Sequence, residues 1–207
     1  MKFAKLLTLI FFFTAGSIFS QFLHYGFKTG IGVSKFSTQL PETEEPNKFQ
    51  PGFIFSGFFE LDLGSGFNTE AELGYNGKGN SVEYTSNDTS TTSNFALNYL
   101  DFQIHIKYYP FKSFYVYSGV NTSIILSATV EHEIKIGTEK NIISKSIYDY
   151  LVPAELSMPF GIGYVTPIGL LLETRFNLGL TNIVDESFDD ISNIKNMQFA
   201  FIIGFKF

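Results

Sequence analysis

The stretch "NMQFAFIIGFKF", residues 196–207, places Phe199, Phe201, Ile203, Phe205 and Phe207 at alternate positions. Gln198, Ala200, Ile202, Gly204 and Lys206 fall between them. Period-two alternation is the signature of a β-strand, whose successive side chains point to opposite faces. One face is therefore bulky and apolar, the other mostly small or polar. Soluble domains usually end in loosely held polar residues, whereas this chain ends on its most apolar strand. The rest of the sequence has to say which solvent that bulky face meets.

Similar period-two segments recur, bounded by Gly, Pro, Asn and Ser clusters, and helical periodicity is not evident. Eight are read, at 25–36, 52–64, 66–77, 95–109, 113–127, 150–165, 168–180 and 197–207. Each runs to roughly 11–16 residues, beyond the mode of about 5–6 for soluble strands. A strand crossing a bilayer at a tilt needs about 9–11 residues. The connections alternate in length. Tight turns are expected at 64–66, 110–112 and 166–167, and long ones at 37–51, 78–94, 128–149 and 181–196. The Thr85–Asn94 run, "TSNDTSTTSN", is low in complexity and is expected to be a mobile loop. In an up-and-down barrel this order puts every long loop on one rim, and both termini with every tight turn on the other. Outer-membrane barrels are built that way, with short periplasmic turns and long extracellular loops.

Side-chain volume then decides which face is inside. Phe53, Phe55, Phe59, Leu61 and Leu63 oppose Ile54, Ser56, Phe58, Glu60 and Asp62; Leu100, Phe102, Ile104, Ile106 and Tyr108 oppose Tyr99, Asp101, Gln103, His105, Lys107 and Tyr109. Leu170, Leu172, Thr174, Phe176 and Leu178 oppose Leu171, Glu173, Arg175, Asn177 and Gly179. The interior of an eight-stranded barrel is only just wide enough for side chains to fill. Eight stripes of Phe and Leu do not fit there, whereas Gly30, Gly32, Ser34, Ser56, Gly74, Gly119, Ser123, Gly161, Gly163 and Gly179 do. The expected fold is thus all-β, an eight-stranded antiparallel up-and-down transmembrane β-barrel with its apolar face outward. Two features strain it: Pro153 and Pro159 within the sixth segment, and Tyr115 and Tyr117 on the inward parity of the fifth.

The inward parity also carries Lys28, Glu60, Asp62, Glu70, Glu72, Asp101, His105, Lys107, Glu155, Glu173 and Arg175, with Lys206 an addition. Buried charges persist only when paired and hydrogen-bonded. The expectation is an interior salt-bridge network, with Lys28, Lys107 and Arg175 bracing the carboxylates and plugging the lumen. An ion-conducting lumen is the alternative.

Composition narrows the chemistry. Charged residues make up 16% of the 207 and hydrophobic ones 44%, a low charge content for a water-facing surface. The net charge of −6, without a basic stripe, argues against a nucleic-acid partner. The absence of cysteine removes disulfides, thiolate nucleophiles and cysteine–zinc sites together. Lys2 and Lys5, the apolar run 6–14 and the small residues of 15–20 read as a signal peptide over residues 1–20, cut before Gln21, with Ser17 the alternative position. Its apolar run is too short for a membrane helix, which needs about 20 residues. Residues 21–207 then form the barrel, with both termini periplasmic.

The stretches "GFKTGIGVSKF" (26–36), "PGFIFSGFFELDLGSGFNTEAELGYNGKG" (51–79) and "LNYLDFQIHIKYYPFKSFYVYSGV" (97–120) resemble the PorT-like outer-membrane β-barrel family common in Bacteroidota, and "RFNLGLTNI" (175–183) resembles its closing strands. The similarity covers essentially the whole chain after residue 20. It implies an outer-membrane barrel, commonly of eight strands, and transfers no catalytic residue, because the family has no shared catalytic motif. Some members are associated with secretion and gliding machinery. By the same resemblance, the stripe Phe199, Phe201, Ile203, Phe205 and Phe207 is what the barrel-assembly machinery recognises during insertion.

No enzymatic constellation stands out. His24 precedes the first strand, His105 reads as a satisfied interior histidine, and His132 in "VEHEIK" is placed in a loop. "GIGVSK" (30–35) opens no helix and lacks the spacing of a phosphate loop. The acidic runs "ETEE" (42–45) and "DESFDD" (185–190) lack the ordered spacing of a calcium loop. No cofactor or metal is expected. The expected partners are outer-membrane lipids, the assembly machinery, and secretion or cell-surface proteins reached through the long loops.

Overall fold

The computed structural model describes residues 22–37, 47–86, 89–136, 139–185 and 194–207. The leader read at 1–20, the acidic run 42–45 and most of 185–190 lie outside the described residues.

Ten strands follow in chain order: β1 (Leu23–Ser37), β2 (Asn47–Lys48), β3 (Gln50–Gly64), β4 (Phe67–Ser86), β5 (Thr89–Tyr108), β6 (Phe114–Ile136), β7 (Glu139–Ser146), β8 (Ala154–Val165), β9 (Leu170–Gly179) and β10 (Lys195–Lys206). Eight of them close a ring in the order β1, β3, β4, β5, β6, β8, β9, β10, every neighbouring pair antiparallel. The seam is the pairing of β10 with β1, running from Gly26 opposite Lys206 to Ser37 opposite Lys195. Phe207 N–H donates to the Tyr25 carbonyl at 2.8 Å, and its ring stacks on Tyr25 at 5.3 Å. Closure leaves no backbone edge in the ring, the condition for crossing hydrocarbon.

The sides of the strands divide by volume. Phe53, Phe55, Phe59, Phe102, Ile104, Leu172, Phe199, Phe201 and Ile203 are exposed on the outer wall, while Ile54, Ser56, Phe58, Glu60, Glu173, Arg175, Gln198 and Ala200 are buried inside. Phe207 is also exposed, and Phe205 is half-buried beneath it, with ring centroids 5.0 Å apart.

Three features differ from the sequence-based expectation. First, residues 78–86 and 89–94 are strand and not loop: β4 runs on to Ser86 and β5 starts at Thr89, paired without interruption from Ser86–Thr89 down to Phe67–Tyr108. The Ser/Thr run lacks an apolar face, yet β-branched threonines fit a pleated ladder well once a neighbouring strand accepts their backbone bonds. Much of 128–149 is likewise strand, because β6 continues to Ile136 and β7 folds back on it. At about 3.3 Å per residue, strands of 20 and 23 residues rise far beyond an apolar band about 25 Å tall. With β2 and β7, the sheet β2–β4–β5–β6–β7 therefore stands as a wall above one rim.

Second, the prolines are accommodated without a bulge. Pro153 lies outside β8. Pro159 faces inward within it and pairs with Asn177 of β9, while the assigned ladder to β6 lapses beside it, between the Ser118–Phe160 and Asn121–Ser157 pairs, and resumes in the same register. A missing proline donor costs a ladder bond, not the strand's alignment.

Third, the inward tyrosines of β6 are matched by glycines of β8. A Cβ on Gly163 would sit 2.1 Å from the Tyr115 ring, and one on Gly161 would sit 2.3 Å from that of Tyr117. The rings lie over the glycines and fill the lumen where β8 supplies no side chain. At the opposite end of β6 a bulge falls between the Tyr99–Ile125 and Asn98–Ser127 pairs, and beyond it Ala128 and Val130 take over the inward positions.

Candidate functional site: the charged interior

The interior is layered along the barrel. Next to the tight-turn rim, Phe58, Tyr115, Tyr117 and Leu171 form an apolar plug, flanked by Tyr109 and Val165. At the opposite end, Phe36, Leu97, Tyr99, Ile125 and Ala128 are capped by Ile183, with Ile147, Leu151, Val184 and Ile194 packed against them. Val152 N–H donates to the Ile183 carbonyl, and Ile183 N–H to that of Ile194, which ties the β7–β8 and β9–β10 connections together across the mouth.

The ionic belt interleaves with the first cluster: Phe58 pairs with Glu72 in register, Glu60 and Glu70 pair nearer the turn, and the Lys107 ammonium lies 4.5 Å from the Tyr115 ring centroid. The Arg175 guanidinium grips Glu72 through Nη1–Oε1 at 3.0 Å and Nη2–Oε2 at 2.7 Å, reaches Glu173 Oε1 from Nη2 at 2.7 Å, and donates to Gln103 Oε1 at 2.9 Å. Its Nε donates to the Tyr117 hydroxyl at 2.9 Å. The bidentate fork is the strong geometry for a guanidinium and a carboxylate. The Lys28 ammonium meets three carboxylates, Glu70 at 2.6 Å, Glu72 at 2.8 Å and Glu173 at 3.2 Å. Lys107 pairs with Glu60 at 2.9 Å and also with Glu70, and Lys206 pairs with Glu60 at 2.5 Å. Tyr115 donates to Glu173 at 2.8 Å. His105 lies in the belt, Nδ1 at 3.1 Å from Glu70 Oε1 and Nε2 at 3.1 Å from Gln103 Oε1, with its ring against Tyr117.

Lys28, Glu60, Glu70, Glu72, His105, Lys107, Glu173 and Arg175 thus come together. Asp101 and Glu155 are buried too, but in a separate layer nearer the long-loop rim. Asp62 is a correction: it is exposed at the tight turn, where its carboxylate accepts from Gly64 N–H at 2.7 Å. The turn residues Gly64, Ser65 and Gly66 all have positive φ, and this reversal carries Asp62 to the rim. His132 is also not in a loop; it sits in β6 with Nδ1 2.8 Å from Ser93 Oγ.

The second layer holds residues that the sequence reasoning missed. Lys78, assigned there to a loop, pairs with Glu155 and donates to Ser123 at 3.0 Å. Asn76, Asn121, Asn177, Asn196 and Gln198 are buried on the inward parity as well. Their parity marks them as inward, but neutral side chains carry no charge that demands a partner.

Glu70, Glu72 and His105 bring ligand-type atoms within 4.8 Å of one another. Those carboxylate oxygens are already bound by Lys28, Lys107 and Arg175, so cationic side chains stand where a metal ion would have to. Two depressions open elsewhere. One of ≈ 410 Å³ lies at the tight-turn rim beside His24, Asn68, Tyr109 and Lys206. One of ≈ 680 Å³ lies largely on the outer wall, where Thr29 and Thr174 leave space between Phe53, Tyr164 and Phe201. The rim depression is also lined by Asp62, Ser65 and Lys112, and no hydrogen bond links His24 to Ser65 or Asp62 among the described residues.

A closed ring of eight antiparallel strands, apolar outside and ionic inside, defines a transmembrane β-barrel of the outer-membrane type. Residues 19–185 match the family model described as outer membrane protein beta-barrel domain, and the chain belongs to that family. Among solved structures it is similar to Neisserial surface protein A (NspA), at 14% identity and a TM-score of 0.49, over 88% of this chain and 97% of that one. It is also similar to Ail, the attachment invasion locus protein of Yersinia pestis, at 7% identity and a TM-score of 0.47, over 89% and 98%. No curated protein sequence matches the chain. Family membership implies the outer membrane as its location.

Proposed function

We propose that this protein is a non-enzymatic outer-membrane barrel with a plugged interior, acting as a structural or interaction element through the rim that carries the long strands. In this reading the tight turns and both ends of the chain are periplasmic, and the β2–β4–β5–β6–β7 wall is extracellular. The observation that carries it is the filled lumen: an ionic belt whose cations and carboxylates bind one another is packed among Phe58, Tyr115, Tyr117 and Leu171, and a second apolar cluster fills the opposite end. Nothing in the belt is left free to act on a substrate, so the surface available for work is the rim. There, among the described residues, β7 pairs with β6 alone and has Ile142 and Ile143 exposed, an arrangement suited to adding a partner's strand. The resemblance to PorT-like barrels favours an accessory role in secretion among the possible tasks.

Deletion of the gene in its host, followed by comparison of secreted proteins and envelope lipids, tests this. The expected result is an unchanged lipid profile, with cargo retained in the periplasm if the partner is a secretion system. A change in lipid masses restored by the intact protein would contradict a non-enzymatic role.

A further inference from the structure

Among the described residues, four buried side-chain polar atoms lack a hydrogen-bond partner, and all four are oxygens: Asp101 Oδ1, Asn121 Oδ1, Asn177 Oδ1 and Asn196 Oδ1. A random scatter of imperfect packing would leave donors orphaned too. Three of these side chains belong to one hydrogen-bonded chain. Asn121 Nδ2 donates to Asp101 Oδ2 at 3.2 Å, and Asn76 Nδ2 donates to the same oxygen at 2.8 Å. Asn76 also donates to Gln198 Oε1 at 3.0 Å, which accepts from Asn177 Nδ2 at 3.1 Å. Every amide nitrogen named is used, and acceptors are left over.

Charge points the same way. In the belt, the carboxylates of Glu60, Glu70, Glu72 and Glu173 face the cations Lys28, Lys107, Arg175 and Lys206, one for one. In the second layer, Asp101 and Glu155 share a single cation, Lys78, which is ion-paired with Glu155. Asp101 forms no ion pair among the described residues. Gln103 separates it along β5 from His105, which lies within the belt. With one lysine against two carboxylates the layer keeps one negative charge in excess, and an unbalanced buried charge is strongly disfavoured. A water molecule would satisfy the orphaned oxygens but would not neutralise the charge.

We propose that the second layer is a binding site for a small monovalent cation of the sodium or potassium class, held by Asp101 Oδ1 with the amide oxygens of Asn121 and Asn177. Hard cations take carboxylate and amide oxygens as ligands. The single surplus charge selects a monovalent ion, because a divalent one would leave the layer positive. The ion completes the interior packing as a structural counter-charge.

The test is to refold the protein into detergent micelles in sodium, potassium or tetramethylammonium chloride at equal concentration, and to follow thermal unfolding by gel mobility. The unfolding midpoint is expected to lie several degrees higher in sodium or potassium, because an ion bound only by the folded state stabilises it by mass action. In Asp101→Asn that difference should vanish. Equal midpoints of the wild type in all three salts would overturn the proposal, as would a wild-type infrared band of a protonated carboxyl that Asp101→Asn abolishes. Should Asp101→Asn fail to fold, crystals of the wild type grown with thallium(I) decide. An anomalous peak in contact with Asp101 Oδ1 supports the site, and a featureless map there overturns it.

Discussion

Arg175 and Glu72, on strands that are not neighbours in the ring, meet across the barrel interior through two parallel hydrogen bonds of 3.0 and 2.7 Å, both residues almost fully shielded from solvent. Removing the guanidinium leaves Glu72 and Glu173 short of their main counter-charge in a dry interior. Arg175→Met should therefore cost about 3–5 kcal/mol. Lys48→Ala, which breaks the exposed pair with Glu83 on the rim, should cost far less, because water and salt screen a surface pair. Urea unfolding in lipid vesicles, read by gel mobility, compares the two; equal losses would contradict a buried belt.

Gly163 and Tyr115 fit together because one has no side chain where the other has a ring. Gly163→Ala drives a methyl into that ring and should cost about 1–3 kcal/mol. Combined with Tyr115→Ser, which clears the space, the loss should be smaller than the sum of the single losses. A double-mutant cycle with no coupling between the positions would contradict the packing.

Phe201 lies in the middle of β10 with its ring on the outer wall. Phe201→Arg should destabilise the folded barrel in vesicles by about 2–4 kcal/mol. Ile142→Arg on β7, beyond the membrane, should change it little. The reverse order of these effects would mean that the outer wall does not face lipid.

Outside the membrane, Lys135 and Lys140 each lie 2.9 Å from Glu133 and hold its carboxyl below the usual carboxylate value. A lowered pKa in the folded state stabilises the β6–β7 hairpin above the unfolded value and loses that effect as pH falls through the folded one. Amide exchange in the hairpin, corrected for its intrinsic dependence on pH, should thus stay slow at neutral pH and accelerate only below the ordinary carboxylate value of 4.5. Raised salt should weaken the effect, because the groups are at the surface. Acceleration beginning near neutral pH would exclude Glu133 as its cause.

The outer wall was legible because volume follows parity: Phe and Leu on one side, Gly, Ser and charge on the other, strand after strand. The same logic placed Lys28, Glu72 and Arg175 inside. It failed at Asp62, where a glycine-flanked reversal ends the alternation, and at Lys78, because the polar run after it offers no apolar face to mark a strand. That strand is held by its ladder to β5, which is a long-range partner and invisible in local pattern. Tyr115 and Tyr117 looked misplaced for a related reason: their explanation, Gly163 and Gly161, lies on another strand. The amide layer around Asn121 and Asn177 was passed over because neutral side chains carry no charge to be balanced, although they share the inward parity.

The central claim is a membrane-spanning barrel whose lumen is closed by apolar plugs and by ion pairs such as Arg175–Glu72 and Lys28–Glu70. Recording from the purified protein in a planar lipid bilayer tests it most directly. The account predicts insertion without stable current steps. Large, stable, ohmic steps would contradict it.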